Sequence, residues 1–275
     1  MLNPSSLSFI HPNATLGTGV QVLPFCYIDE DVVVGDNCKI GPNASLLAGT
    51  RLGMGCVVFP GAVLGAVPQD LKFSGEYSTL VIGNNTIIRE CVTLNRGTRE
   101  TGSTIVGDNC LLMAYVHVAH DCMLGNNLVL SNGVQLAGHV QIDDHAVLGG
   151  HVLVQQFCRI GRFSFVAGAG LVRNNVPPFV RVAREPLSYI GVNKIGLSRK
   201  GFQPAEIDEI KDIYNLLFVF NKGINSGIAQ IKDTIFKTSY KEEIIDFVNQ
   251  SKSLIAGFNS DSTQMENENN TQRGW

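Results

Sequence analysis

Aliphatic residues recur every six positions along the first two thirds of this chain. The series starts at Ile10 and runs through Leu16, Val22, Ile28, Val34, Ile40, Leu46, Leu52, Val58 and Leu64. It resumes with Ile82, Ile88 and Leu94, then Val106, Leu112, Val118, Leu124, Leu130 and Leu136, and closes with Ile142, Leu148, Val154, Ile160, Val166 and Val172. Within it, Asp70, Glu76 and Glu100 stand where an aliphatic residue is due, yet the phase is unchanged beyond each of them. An amphipathic helix repeats about every 3.6 residues and a half-buried strand every 2, so neither produces this pattern. A solenoid does: each hexad supplies one short strand, its aliphatic side chain turned inward, and one corner.

A small residue follows four places after many of the inward positions. Cys26, Cys38, Cys56, Cys110, Cys122 and Cys158 occupy that place, as do Ala14, Ala44 and Ala62. Cysteine is small and readily buried, so these six are read as core thiols, neither disulfides nor metal ligands.

The hexad pattern resembles the left-handed parallel β-helix acyltransferases, whose coils are triangular prisms of three hexads. That resemblance implies an all-β left-handed parallel β-helix of 18 residues per coil. Residues 10–177 then make about nine coils stacked at roughly 4.8 Å. On a strict count of 18, positions 64, 82, 100, 118, 136 and 154 share one face.

The pattern stops near Pro177. Residues 177–202 look irregular, and Gln203-Pro204-Ala205-Glu206 has the form of a helix start. Helices are expected over 205–222, 225–237 and 240–256. The chain therefore divides into a β-helix domain (1–190), a small C-terminal α-helical domain (191–258) and a polar tail (259–275).

Composition narrows the function. Charged residues make up 16% of the 275 and the net charge is −3, so nothing supplies the basic field that nucleic acid requires. The first residues lack a basic segment followed by an apolar one, and no run approaches the roughly 18 apolar residues of a membrane span. A cytoplasmic protein with no membrane span is the expectation.

Candidate chemistry gathers beside the interruptions. Val118-Ala119-His120-Asp121, Leu136-Ala137-Gly138-His139 and Val154-Gln155-Gln156 fall on successive rungs, near two segments (65–79 and 95–104) that leave the coil. Histidines on a β-helix surface are often solvated spacers, which is the reading for His145. At His120 the adjacent Asp121 matters: a carboxylate orients an imidazole, whose free pKa of about 6.5 suits a base near neutrality. Gly138 allows close approach to backbone, so its N–H is a candidate oxyanion donor.

The segments VPQDLKFSGE, IRECVTLNRGT, VHVAHDCMLGNN, LAGHVQIDDHAVLGGHVLVQQFC, NVPPFV and GVNKIGLSRKGF resemble the UDP-N-acetylglucosamine O-acyltransferases of lipid A biosynthesis over about residues 10–220. The resemblance implies transfer of an (R)-3-hydroxyacyl group from acyl carrier protein to the 3-hydroxyl of UDP-N-acetylglucosamine, the first step of that pathway. It implies a homotrimer with clefts between subunits, and neither cofactor nor metal. Carried over residue by residue, His120 matches the general base, Asp121 its orienting partner and Gly138 the oxyanion donor. Asp70, Lys72, His117, His139 and Gln156 match substrate-binding positions. Asn193 and Arg199 match the nucleotide end, and Gly168 the ruler of acyl length, where glycine leaves room for a longer chain. Lys194, Arg199, Lys200, Arg181 and Arg184 form a candidate basic surface for the acidic carrier protein.

Four positions depart from the family pattern. Asn95 and Gln155 stand where histidines are usual, Lys200 replaces an arginine, and Pro68 replaces a residue that is often asparagine. These bear on the acceptor more than on the reaction, so acylation of a 3-amino UDP-sugar is an alternative. The γ-type carbonic anhydrases share the fold and bind zinc through three histidines. His117 and His120 are three apart where that family has two histidines five apart, which weighs against a zinc site. A non-catalytic scaffold is disfavoured by the intact His120–Asp121 pair.

Overall fold

The computed structural model describes residues 7–220, 223–234, 236 and 238–255; the expected polar tail lies outside them. Most strands are two residues long and pair in parallel, forming three sheets of nine, eight and ten strands. The first sheet passes through Ile28, Leu46, Leu64, Leu94, Val118 and Leu136, all fully buried. Successive hexads feed the first, second and third sheets in turn, so the inward aliphatic column of each sheet meets the other two along the axis. Each fully buried Val, Leu or Ile contributes about 1.5–3 kcal/mol relative to exposure. The third sheet carries a second apolar column on its outer side: Val57, Ile87, Leu111, Val129, Val147 and Phe165, none of them fully buried.

The strict count of 18 fails across the interruptions. Val118 pairs with Leu136, but Leu64 pairs with Leu94, 30 residues on, and Leu94 with Val118, 24 on. Ile82 lies in the second sheet, paired with Val106, and Glu100 lies in a loop between the strands Thr93–Asn95 and Ser103–Val106. The surplus is 12 residues in the first case and 6 in the second. These are the three hexads headed by Asp70, Glu76 and Glu100. A carboxylate cannot take an inward position unpaired, so each such hexad is extruded, and because hexads leave whole the six-residue phase survives.

Corners explain the glycines and asparagines. Asn37, Asn43, Asn85, Asn109 and Asn127 adopt φ between 54° and 60°, a conformation asparagine tolerates better than most side chains. At the corners before the second run of asparagines the rungs touch: a Cβ on Gly83 would lie 2.2 Å from Asp108 Oδ1. All seven cysteines are free thiols, and the six at the small-residue positions are buried.

Beyond Pro177 the chain is more regular than its sequence suggests. Val180–Ala183 extends the third sheet in parallel and Ser188–Val192 returns antiparallel, covering that open edge. A short helix follows, α1 (Lys194–Arg199), with Gly196 inside it and Asn193 capping it by accepting from the Gly196 N–H. Then come α2 (Pro204–Tyr214), which runs on into a π-helical turn (Asn215–Val219), α3 (Ile224–Asp233) and α4 (Tyr240–Gln250). The last helix ends earlier than expected because the chain turns back and bridges Leu254 to Asn175. The helices dock on the end of the coil through Tyr214, whose hydroxyl donates to Pro178 O at 2.6 Å, and through paired contacts of Arg162 with Glu243.

Candidate functional site

His120 follows the first-sheet strand His117–Val118 by two residues, and Asp121 occupies the corner at φ 61°. One rung on, Gly138 and His139 hold the equivalent places, the His139 N–H donating to His120 O. The next rung places Gln156 and Phe157 there, both exposed. Stacking therefore produces a column His120–Gly138–Gln156 beside a column Asp121–His139–Phe157.

The imidazole of His120 lies over Gly138. A Cβ at 138 would sit 2.6 Å from His120 Cε1 and 2.7 Å from Nε2, so the missing side chain is the space that the ring occupies. His120 Nδ1 is 2.7 Å from Asp121 Oδ2. Both side chains are almost wholly buried, at 9% and 0% exposure. His139 packs edge-on against His120 at 5.2 Å between ring centroids and stacks on Phe157 at 4.7 Å.

Burial by itself would raise the Asp121 pKa. Hydrogen bonds from Thr101, His120 and the Thr98 N–H and hydroxyl outweigh it and hold the carboxyl at about 2. Asp121 is thus an anion with no hydrogen to give, so the hydrogen between it and His120 sits on Nδ1. That leaves Nε2 of the neutral ring with a free lone pair.

The two extruded loops wall this pair. Loop 96–102 supplies Thr98 and Thr101 to Asp121, and Glu100, whose Oε2 is 3.4 Å from His139 Nε2. Loop 67–78 carries Asp70 and Lys72 and meets the other loop where Glu76 accepts from the Arg99 N–H. Between the loops is a cavity of about 220 Å³ lined by Asp70, Lys72, Phe73, Glu76, Thr98, Arg99 and Glu100. Asn95, at the root of both loops, is buried and donates from Nδ2 to Val67 O at 2.9 Å, while its Oδ1 has no partner. Two larger grooves lie elsewhere, one against α4 and one among the helices. In the first, Arg159 and Arg162 are taken up by Asp143 and Glu243.

The remaining sequence candidates scatter. His117 is on the same rung as His120, its Nδ1 2.7 Å from Thr93 Oγ1, and burial pulls its pKa down. Gly168 follows the third-sheet strand Phe165–Val166 and so sits at a different corner of the prism, exposed. Asn193 is buried as the α1 cap, with Nδ2 donating to Phe163 O. Arg199 is exposed in the last turn of α1. His145 is not a solvated spacer: it is half-buried and stacked on Phe163 at 4.6 Å, because the rungs bring those rings face to face. Sequence reasoning missed Thr98, Thr101 and Thr104. The available signal was the hydroxyl-rich run 98–104 around a failed inward position.

One group of histidine and acidic side chains, His120, Asp121 and His139, has potential ligand atoms all within 4.8 Å of one another. Its carboxylate is spent: Oδ1 accepts from the Thr98 N–H and the Thr101 hydroxyl, Oδ2 from the Thr98 hydroxyl and His120 Nδ1. His117 does not belong to the group. This arrangement suits proton transfer rather than metal coordination.

The coil of hexads places the chain among the bacterial hexapeptide-repeat transferases. A sequence model of the bacterial transferase hexapeptide matches residues 31–66 and 103–138, and one described as "Udp N-acetylglucosamine O-acyltransferase; Domain 2" matches residues 175–256. The chain is 38% identical over 250 residues to the acyl-[acyl-carrier-protein]–UDP-N-acetylglucosamine O-acyltransferase of Bartonella henselae, covering 90% of each chain. To the enzyme of that name from Chlorobaculum parvum it is 42% identical over 248 residues, covering 88% of this chain and 94% of the other. The solved UDP-N-acetylglucosamine acyltransferase of Bacteroides fragilis superposes with a TM-score of 0.90 at 44% identity, covering 91% of this chain and 98% of that one. The Francisella novicida structure gives 0.89 at 36%, covering 94% and 95%. The chain belongs to the UDP-N-acetylglucosamine O-acyltransferase family, and its coil is the left-handed parallel β-helix of that family.

Proposed function

We propose that this protein transfers a (R)-3-hydroxyacyl chain from acyl carrier protein to the 3-hydroxyl of UDP-N-acetylglucosamine, the opening step of lipid A biosynthesis. The observation that carries the reading is the His120–Asp121 pair, set beside a loop-walled cavity in a chain that is about 40% identical to acyltransferases of this name. His120 Nε2 takes the proton of the sugar hydroxyl as its oxygen attacks the thioester carbonyl. The Gly138 N–H, which has no backbone partner among the described residues, is assigned to the developing oxyanion. Collapse of the tetrahedral intermediate breaks the C–S bond, and the proton held on His120 passes to the departing thiolate. A thioester is already activated, so the residues present suffice for the step.

Asp70, Lys72, His117, His139 and Gln156 are assigned to the acceptor and acyl group, Asn193 and Arg199 to the nucleotide, and Gly168 to the acyl terminus. Gly168 lies at another corner of the prism from His120, which fits a site completed by a second subunit. The outer apolar column of the third sheet supports such an assembly, read here as a homotrimer. Exposed Lys194, Arg199, Lys200 and Arg181 offer a surface for the acidic carrier protein. In this reading residues 1–190 form the β-helix acyltransferase domain and 191–258 the C-terminal helical domain. No helix among the described residues is long and apolar enough to cross a membrane, and a cytoplasmic location fits these substrates.

The test is acyl transfer from 3-hydroxyacyl carrier proteins of several chain lengths to UDP-N-acetylglucosamine and to its 3-amino analogue. Turnover of the hydroxyl acceptor supports the reading; turnover of the amine alone would move the acceptor, as the exchange of a usual histidine for Asn95 allows.

A further inference from the structure

The hydroxyls of loop 96–102 are polarised in one direction. Thr98 Oγ1 accepts the Glu100 N–H at 3.2 Å and lies 2.8 Å from Asp121 Oδ2. Thr101 Oγ1 accepts the Ser103 N–H at 3.4 Å; it is 2.8 Å from Ser103 O but closer to Asp121 Oδ1. A hydroxyl has one hydrogen, and the charged acceptor is the stronger one, so both hydroxyls point their hydrogens at Asp121. The Thr98 N–H adds a third donor, and Thr104 Oγ1 fixes the Asp121 backbone by accepting its N–H at 2.8 Å. Glycine at the root completes the loop: a Cβ on Gly97 would lie 2.5 Å from Ser103 N.

We propose that Thr98 and Thr101 are positioning residues for the acyl transfer, a clamp that keeps Asp121 ionised and leaves a single lone pair directed at His120 Nδ1. The proposal rests on the catalytic role given to His120 above. The two threonines touch no reacting atom and act through Asp121. Extruding the hexad headed by Glu100 is then more than the making of a cleft wall: the loop it opens, 96–102, carries the donors that offset the burial of Asp121.

The sign of the effect follows from the pair as a unit. Donors to its negative charge lower its affinity for a proton, wherever that proton resides, so removing one raises it. The other titratable groups nearby are His139, 3.6 Å from Asp121 Oδ2, Glu100 across that ring, and the buried Cys122 thiol, which burial and the Asp121 charge keep protonated. A readout specific to His120 is therefore required.

The experiment compares wild type, Thr101→Val and Thr101→Ser in the full chain, with histidines labelled by ¹⁵N and titrated by NMR. The His120 midpoint is expected to move to higher pH in the valine variant and to return in the serine one. An unchanged midpoint in Thr101→Val overturns the clamp, whether or not the substrates assigned above are turned over. In the transfer assay, kcat of Thr101→Val is expected to fall roughly 10- to 100-fold, the size of one lost hydrogen bond to a charged group. KM should hold, and the acid limb should shift upward. A fall in kcat with the acid limb in place and no rescue by serine would make Thr101 merely structural and also overturn the proposal. Absence of transfer by wild type would sink the assigned reaction alone, leaving the titration to decide the clamp.

Discussion

His120 Nδ1 lies 2.7 Å from Asp121 Oδ2 although the two residues are neighbours in sequence, because the corner at Asp121 turns the chain through φ 61° between them. Adjacent residues on a flat strand face opposite sides. At a corner they can meet, and here both are buried.

His120→Gln keeps the polarity of the side chain but removes the titrating lone pair. It is expected to lower kcat roughly 10²–10⁴-fold, the usual contribution of a positioned base, with KM for both substrates little changed. Steady-state transfer kinetics check this. Loss of binding with kcat retained would show that His120 holds the substrate instead.

Gly138→Ala tests the space under the imidazole. The added methyl would start 2.6 Å from His120 Cε1, so the ring must rotate away and break its bond to Asp121. Transfer should fall at least 10-fold while thermal stability changes by about 1–3 kcal/mol, the ordinary cost of overpacking. A crystal structure with the ring undisplaced would contradict the account.

The Asp121 carboxyl titrates near 2 in the folded protein against about 3.9 unfolded, so its folded value is depressed. Its contribution to stability is present above about pH 4 and is lost as pH falls toward 2. Urea midpoints between pH 2 and 5 should therefore drop less steeply for Asp121→Asn than for wild type, even if the variant is weaker overall.

Leu136 is fully buried on the rung that carries Gly138 and His139. Leu136→Ala is expected to cost about 2–5 kcal/mol of unfolding free energy, transfer plus cavity. Leu71, fully exposed in the first extruded loop, should tolerate alanine within about 0.5 kcal/mol. Denaturant titration of the two variants separates core from loop.

The hexad phase, the burial of the six small-position cysteines and the stacking of Val118, Leu136 and Val154 were all legible in the sequence. A repeat of one strand and one corner makes burial a function of position alone. The early end of α4 and the hairpin at Val180–Val192 were not, since both depend on what covers the end of the coil.

The order of the faces was legible in principle: a strict count of 18 puts Ile82 and Glu100 with Leu64, and the structure puts them elsewhere. Asp70, Glu76 and Glu100 are the inward positions that a charge forbids, and skipping those three hexads restores the order of sheets that the structure shows. What the sequence determined by itself was thus the solenoid and which residues line its corners, because neighbouring rungs are related by local spacing. Tertiary structure decided where the extruded hexads fold. Thr98 and Thr101 reach Asp121 across more than 19 residues of chain, and no periodicity encodes the lone pairs of a buried carboxylate. A loop freed from the repeat goes where unsatisfied buried charge needs donors, and that is a condition on three-dimensional neighbours.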